Sequence, residues 1–117
     1  MSKLVLTHEG ITLRSYPLEK DETNIGRKAD NDIQIDDAAV SGHHARIVRS
    51  QDSYLEDHED FFIEDAGSTN GTIVNSAQLT GQHLLKNGDV IRVGQHQFTF
   101  DTEQGVDLET TAIYLPD

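Results

Sequence analysis

Residues 90–100 read Val90-Ile91-Arg92-Val93-Gly94-Gln95-His96-Gln97-Phe98-Thr99-Phe100. Apolar side chains fall at alternate positions on both sides of a turn centred on Gly94: Ile91 and Val93 before it, Phe98 and Phe100 after it. A strand turns successive side chains to opposite faces, so this alternation marks a half-buried strand, whereas a helix would repeat every three to four residues. The stretch therefore reads as two strands joined by a turn. The same period continues outward through Leu4 and Leu6, Ile11 and Leu13, Ile33 and Ile35, Ala45 and Ile47, Phe61-Phe62-Ile63 and Thr72-Ile73-Val74. Turn-forming residues lie between these runs, at Glu9-Gly10, Asp30-Asn31-Asp32, Asn70-Gly71 and Asn87-Gly88. No segment carries an amphipathic helical pattern. The expectation is an all-β chain of about ten or eleven short strands forming a sandwich or a barrel. Alternation is lost after Asp101 until the apolar run Ala112-Ile113-Tyr114-Leu115. Residues 1–101 are thus expected to form the domain, and residues 102–117 a flexible tail or linker with one short docking element.

The chain has 117 residues, which suits one core and leaves little room for a second. Cysteine is absent, so disulfides and thiolate metal sites are excluded. The segment Met1 to His8 is too short for a signal peptide, and no apolar run approaches the roughly 20 residues of a spanning helix. A cytoplasmic protein is expected. The formal net charge of -12 repels nucleic acid and anionic lipid, so neither is expected as a partner. A small anion remains admissible where backbone N–H groups, hydroxyls and one or two cations make a local site. The acidic run Glu56-Asp57-His58-Glu59-Asp60 reads as a solvated hairpin loop.

Three loops, Gly26 to Asp32, Asp37 to His44 and Asp65 to Gly71, hold more Ser, Thr, Asn, His and Arg than turns require. Loops cluster at the ends of a sandwich, and loops on a rigid scaffold are the usual seat of function. Four pieces stand out in order: Gly26-Arg27, Ser41-Gly42-His43-His44, Asp65-Ala66-Gly67-Ser68-Thr69-Asn70-Gly71-Thr72, and Asn87-Gly88-Asp89. Each is weak alone. Together, at these spacings and on an all-β pattern, they resemble the forkhead-associated domain family, from about Leu4 to Phe100, and in bacterial style.

That resemblance implies an eleven-stranded sandwich whose loops at one end bind a phosphothreonine peptide, with no cofactor and no catalysis. Carried over residue by residue, it implies Arg27 as the phosphate cation, Ser41 as a hydroxyl donor and the Gly42 N–H as a further donor. Thr69 would lie beside the phosphothreonine, Asn70 would bond the peptide main chain, and Lys28 would add cationic field. Gly26, His44 and Gly71 match loop-supporting positions, and Asn87-Gly88-Asp89 a turn remote from the ligand. The physical logic agrees. A phosphothreonine carries about -1.5 to -2 charges and three strong acceptor oxygens, which one guanidinium, one hydroxyl and backbone N–H groups can satisfy. An Asn side chain offers a donor and an acceptor together. The family's preference for threonine over serine uses a small pocket for the γ-methyl group. Two positions depart from the pattern. Ala39 stands where some members carry a second basic residue, and Gly42 where a larger residue is frequent. A less cationic site follows, with modest affinity or reliance on Lys28 and Arg46.

Other chemistries fit less well. Ser41, His44 and Asp65 are the residue types of a nucleophilic triad, but no Gly-x-Ser-x-Gly elbow is present. The six histidines show no His-Glu-x-x-His spacing, and no calcium-loop pattern occurs, so no metal is expected. A phospho-independent interaction or oligomerisation module on the same fold is the alternative that keeps the architecture. The tail segment Glu109-Thr110-Thr111-Ala112-Ile113 resembles the phosphorylated tails of some bacterial members. It implies Thr110 or Thr111 as a phosphorylation site for a Ser/Thr kinase, with Ile113 three residues beyond Thr110. Self-binding or head-to-tail association would follow.

Overall fold

The computed structural model describes residues 2–51 and 59–102. The tail beyond Thr102, with Thr110 and Thr111, and the acidic residues Glu56 to His58 lie outside the described residues. The last two residues of the acidic run, Glu59 and Asp60, open a strand. Among the described residues there are eleven strands and no helix. They are β1 (Lys3–His8), β2 (Ile11–Pro17), β3 (Glu22–Gly26), β4 (Ile33–Gln34), β5 (Ala45–Gln51), β6 (Glu59–Asp65), β7 (Thr72–Val74), β8 (Ala77–Gln78), β9 (Gln82–Leu84), β10 (Val90–Val93) and β11 (His96–Asp101). One sheet has the order β2-β1-β11-β10-β7-β8 and the other β4-β3-β5-β6-β9. All pairings are antiparallel except the short β3–β4 contact.

The alternation decides what meets between the sheets. Leu4, Ile91, Val93, Phe98 and Phe100 face inward from the first sheet, and Ile25, Ile47, Phe61 and Ile63 from the second. Phe61 and Phe100 join the two layers with ring centroids 5.7 Å apart and planes tilted by 59°. Each buried aromatic or branched side chain contributes about 1.5–3 kcal/mol, and tilted ring pairs add roughly 0.5–1.5 kcal/mol.

Two sequence expectations need correction. Gly26 is the last residue of β3 and not a loop residue. Its strand was hidden because only Thr23 and Ile25 mark its inner face and the adjacent residues are polar. Ile11 and Leu13 do sit on a strand, but they are 64% and 59% exposed. β2 is the outermost strand, and a register shift between Leu6 and Thr7 places an extra residue in it, so the alternation no longer points into the core. At the Asn70-Gly71 turn only Gly71 has positive φ, so the turn is not of type I′. Consecutive left-handed residues occur at Glu9-Gly10, between β1 and β2, and at Asn75-Ser76, between β7 and β8.

Candidate functional site

β3 ends, β5 begins, β6 ends and β7 begins at one end of the sandwich, which brings the three polar loops together. Their contact depends on Gly26. A Cβ there would stand 2.2 Å from the Gly42 carbonyl oxygen and 2.8 Å from Asn31 Nδ2. Without it, the first two loops zip along their backbones: Arg27 N–H donates to Ser41 O at 2.9 Å and Lys28 N–H to Gly42 O at 3.2 Å. Asn31, only 8% exposed, completes the join by donating from Nδ2 to Lys28 O at 2.8 Å and Gly42 O at 2.7 Å. The sequence marks Asn31 only as a turn residue. Its bracing role depends on burial, which no local pattern shows.

His44 ties the second loop to the third. It is fully buried. Its Nδ1 accepts from Ser41 N–H at 3.1 Å, so the proton lies on Nε2, which donates to Gly71 O at 2.8 Å. Its main chain adds His44 N–H to Ile25 O and Ala66 N–H to His44 O. Within the third loop, Asp65 accepts from the N–H groups of Gly67 and Ser68 and from the hydroxyls of Ser68 and Thr72. Burial acts most strongly on the Asp65 carboxyl and pushes its pKa up. The bonds from Ser68, Thr72 and Gly67 together outweigh it and hold the group below the usual aspartate value. The second loop is also braced from the first sheet. Asp37 accepts from Ala39 N–H at 2.9 Å and pairs with His96 at 3.1 Å. The Ala39 N–H, with His96 adding to it, holds Asp37 below the usual aspartate value. Val40 packs so close to Gly94 that a Cβ on the glycine would lie 2.9 Å from it.

This frame surrounds a hollow of about 410 Å³ lined by Arg27, Ala39, Ser41, Gly42, Thr69 and Asn70, among others. Five of the six residues expected to bind ligand therefore share one surface. The sixth, Lys28, does not line it. Its aliphatic stem lies over Gly42, where an added Cβ would come within 3.1–3.3 Å of it. Gly26, His44 and Gly71 lie behind the hollow in the contacts already given. The Arg27 side chain is exposed and makes no hydrogen bond or ion pair among the described residues. Ser41 Oγ accepts from Thr69 N–H at 2.9 Å, which leaves its own hydrogen free to donate. Asn70 Nδ2 donates to Ala39 O at 2.8 Å, so one amide hydrogen serves the loop while Oδ1 and the second hydrogen remain.

Arg46 is not available to this hollow. It lies on the outer face of the second sheet, bonded to Glu64 at 2.9 Å and 3.8 Å from Glu22, and the Glu64 hydrogen bond raises its pKa. His43 bridges to Asp30 at 3.1 Å across the rim of the first two loops. Among the described residues no group of three or more His, Asp or Glu side chains could hold a metal. Ser41 and His44 do not form a nucleophile–base pair either, because the histidine contacts the Ser41 backbone and not its hydroxyl.

The fold and the site define a β-sandwich recognition domain whose site is assembled from loops at one end. The chain belongs to the FHA domain family, whose model matches residues 23–94, more than half of its length. Among curated proteins it is 40% identical over 98 residues to the transcriptional regulatory protein EmbR of Mycobacterium tuberculosis, covering 84% of this chain and 24% of that protein. It is 38% identical over 98 residues to the glycogen accumulation regulator GarA of the same species, covering 82% and 56%. The chain thus spans from about a quarter to just over half of the curated relatives it matches. Among solved structures, Mycobacterium tuberculosis EmbR in complex with a low affinity phosphopeptide matches with a TM-score of 0.72 and 39% identity, over 86% of this chain and 24% of that one. The FhaA FHA domain complexed with the intracellular domain of Rv3910 matches with a TM-score of 0.69 and 31% identity, over 86% and 99%.

Proposed function

We propose that this FHA domain binds a phosphothreonine-containing segment of a partner protein in signalling through Arg27, Ser41, Gly42 and Asn70. The observation that carries the reading is the state of these groups. A guanidinium without a partner among the described residues, a hydroxyl that accepts one N–H and keeps its own hydrogen to donate, and an amide with donor and acceptor capacity to spare meet in one hollow. Arg27 supplies planar charged donors for the phosphate, and the Ser41 hydroxyl and Gly42 N–H supply two more. Thr69 flanks the phosphothreonine. Asn70 bonds the peptide main chain and so reads an extended segment rather than a particular side chain. Lys28, its stem carried by Gly42, adds positive field at the rim.

The phosphopeptide held by the EmbR structure supports this ligand class. The site works by binding alone, with no cofactor and no reaction. We take its setting to be cytoplasmic. Among the described residues no helix is long and apolar enough to cross a membrane. The partner is read as the substrate of a Ser/Thr kinase. Thr110 or Thr111 of this chain's own tail is a second candidate ligand, once phosphorylated. β11 ends at Asp101 opposite Lys3, away from the loops. Nine residues from Asp101 to Thr110 reach about 30 Å at most, so head-to-tail binding between copies is at least as well supported as self-binding. A phosphothreonine library with random flanks, titrated by fluorescence anisotropy against wild type and Arg27→Ala, tests the assignment. We expect the variant to lose at least tenfold in affinity, as for removal of a charge-assisted bond. Equal affinity for the two proteins would overturn it.

A further inference from the structure

Among the described residues the longest edge strand is β2, and no other strand pairs with its outer side. The other edges are β8, β4 and β9, of two, two and three residues, whereas β2 has seven. Among the described residues it pairs only with β1, so one side of its backbone offers N–H and C=O groups as a template for another strand. It also carries two of the three large apolar side chains that are exposed among the described residues, Ile11 at 64% and Leu13 at 59%. No carboxylate occurs from Ile11 to Leu18 in a chain whose net charge is -12. The one charge within β2, on Arg14, lies 5.2 Å over the Tyr16 ring.

This edge lies at the same end of the sandwich as the phosphate hollow. Thr7 pairs with Gln97 and Thr12, and Arg92 pairs with Gln97 and Ile73. The start of β2 therefore shares its level with the start of β7, which follows Asn70-Gly71 directly. The turn at Gly94 and Gln95, between β10 and β11, lies between them. Val40 of the second loop touches Gly94, and Gln95 next to it opens a groove of about 300 Å³ lined by Thr7, His8, Glu9, Arg92, Gln95 and Gln97. The Arg92 and Gln95 side chains make no hydrogen bond among the described residues, so both remain free to donate to a peptide carbonyl. From β7 to β2 is four strand spacings, about 19 Å. An extended chain rising about 3.3 Å per residue covers that distance in roughly six residues.

We infer that the phosphothreonine partner makes a second contact here: its extended chain crosses the Arg92–Gln95 groove and seats an apolar residue, about five to seven positions from the phosphothreonine, on Ile11 and Leu13 at the β2 edge. This rests on the phosphothreonine reading above and adds to it a defined reach and an apolar requirement. The Arg92 and Gln95 side chains can donate to the crossing main chain, and the two aliphatic side chains supply selectivity. Such a contact compensates for a phosphate site with few cations, because covering one exposed aliphatic side chain gives about a tenfold gain.

The test compares two phosphothreonine libraries, one randomised for three residues on each side and one for eight, on wild type, Ile11→Thr/Leu13→Thr and Arg27→Ala. Wild type should select apolar residues five to seven positions away on one side, and the long peptides should bind about tenfold tighter than the short. The double variant should lose both the selection and the gain while binding short peptides as wild type does. That last result also shows that its site is folded. No apolar selection beyond three residues, or a selection that survives in the double variant, overturns the inference. If short and long libraries bind Arg27→Ala as well as wild type, the phosphothreonine reading itself has failed.

Discussion

Replacing His44 by Phe tests whether the buried imidazole sets the geometry of the site. The ring fills nearly the same space but cannot hydrogen-bond, so Ser41 N–H loses its 3.1 Å acceptor and Gly71 C=O its 2.8 Å donor. A buried polar group left unpaired costs about 1–3 kcal/mol, giving roughly 2–6 kcal/mol for two. Both residues are only half-buried, so water can reach part of the lost bonding. The expected cost is therefore at the low end, about 2–3 kcal/mol. Urea unfolding followed by intrinsic fluorescence measures it, with the slope m unchanged if the loss is native-state bonding. In a domain of this size the melting temperature should fall by about 10–20 °C. Because the lost bonds hold the loops bearing Ser41 and Asn70, phosphopeptide affinity should fall together with stability. A cost under about 0.5 kcal/mol with unchanged affinity would refute the claim that His44 holds the two loops in place.

Gly26→Ala places a methyl group 2.2 Å from the Gly42 carbonyl oxygen, a clash with backbone that cannot simply rotate away. Calorimetry should show a loss of roughly 1–3 kcal/mol or more, and amide shifts of Arg27, Lys28 and Ser41 should move together. The Asp65 carboxyl has a folded-state pKa below its unfolded value. Its stabilising contribution is therefore complete above the ordinary aspartate pKa of about 3.9 and is lost as pH falls through the lower folded value. Asp65→Asn should thus be less stable than wild type near neutrality, with the gap closing in urea titrations run from pH 5 down to pH 2.5. A gap that widens on acidification would contradict the assignment.

Much of this architecture is legible in the residues, and the exceptions share a cause. Strands whose apolar residues alternate cleanly, such as β10 and β11, can be read directly, because period two leaves one solution for a half-buried segment. β3 escaped because Thr23 and Gly26 take buried positions that local composition does not mark. β8 and β9 are too short to show a period. Ile11 and Leu13 alternate correctly, yet whether a strand lies at an edge depends on sheet order, which is a non-local property. The same holds around the hollow. Arg27, Ser41 and Asn70 stand out through their motif spacing. The bracing by Asn31, the His96–Asp37 pair and the diversion of Arg46 to Glu64 come from contacts between residues 11 to 59 positions apart. The departures at positions 39 and 42 also read differently in three dimensions. Ala39 does leave out a cation, but the bare Gly42 is what allows Lys28 to lie across the loop.

The central claim is that the hollow recognises the phosphate itself. Its most direct test is isothermal titration of one peptide chosen from the library against its unphosphorylated twin. The account predicts measurable binding of the phosphothreonine form and a loss of at least a hundredfold, about 2.7 kcal/mol, for the twin. Equal affinity for the two peptides would contradict it and would leave a phospho-independent interaction module on the same fold.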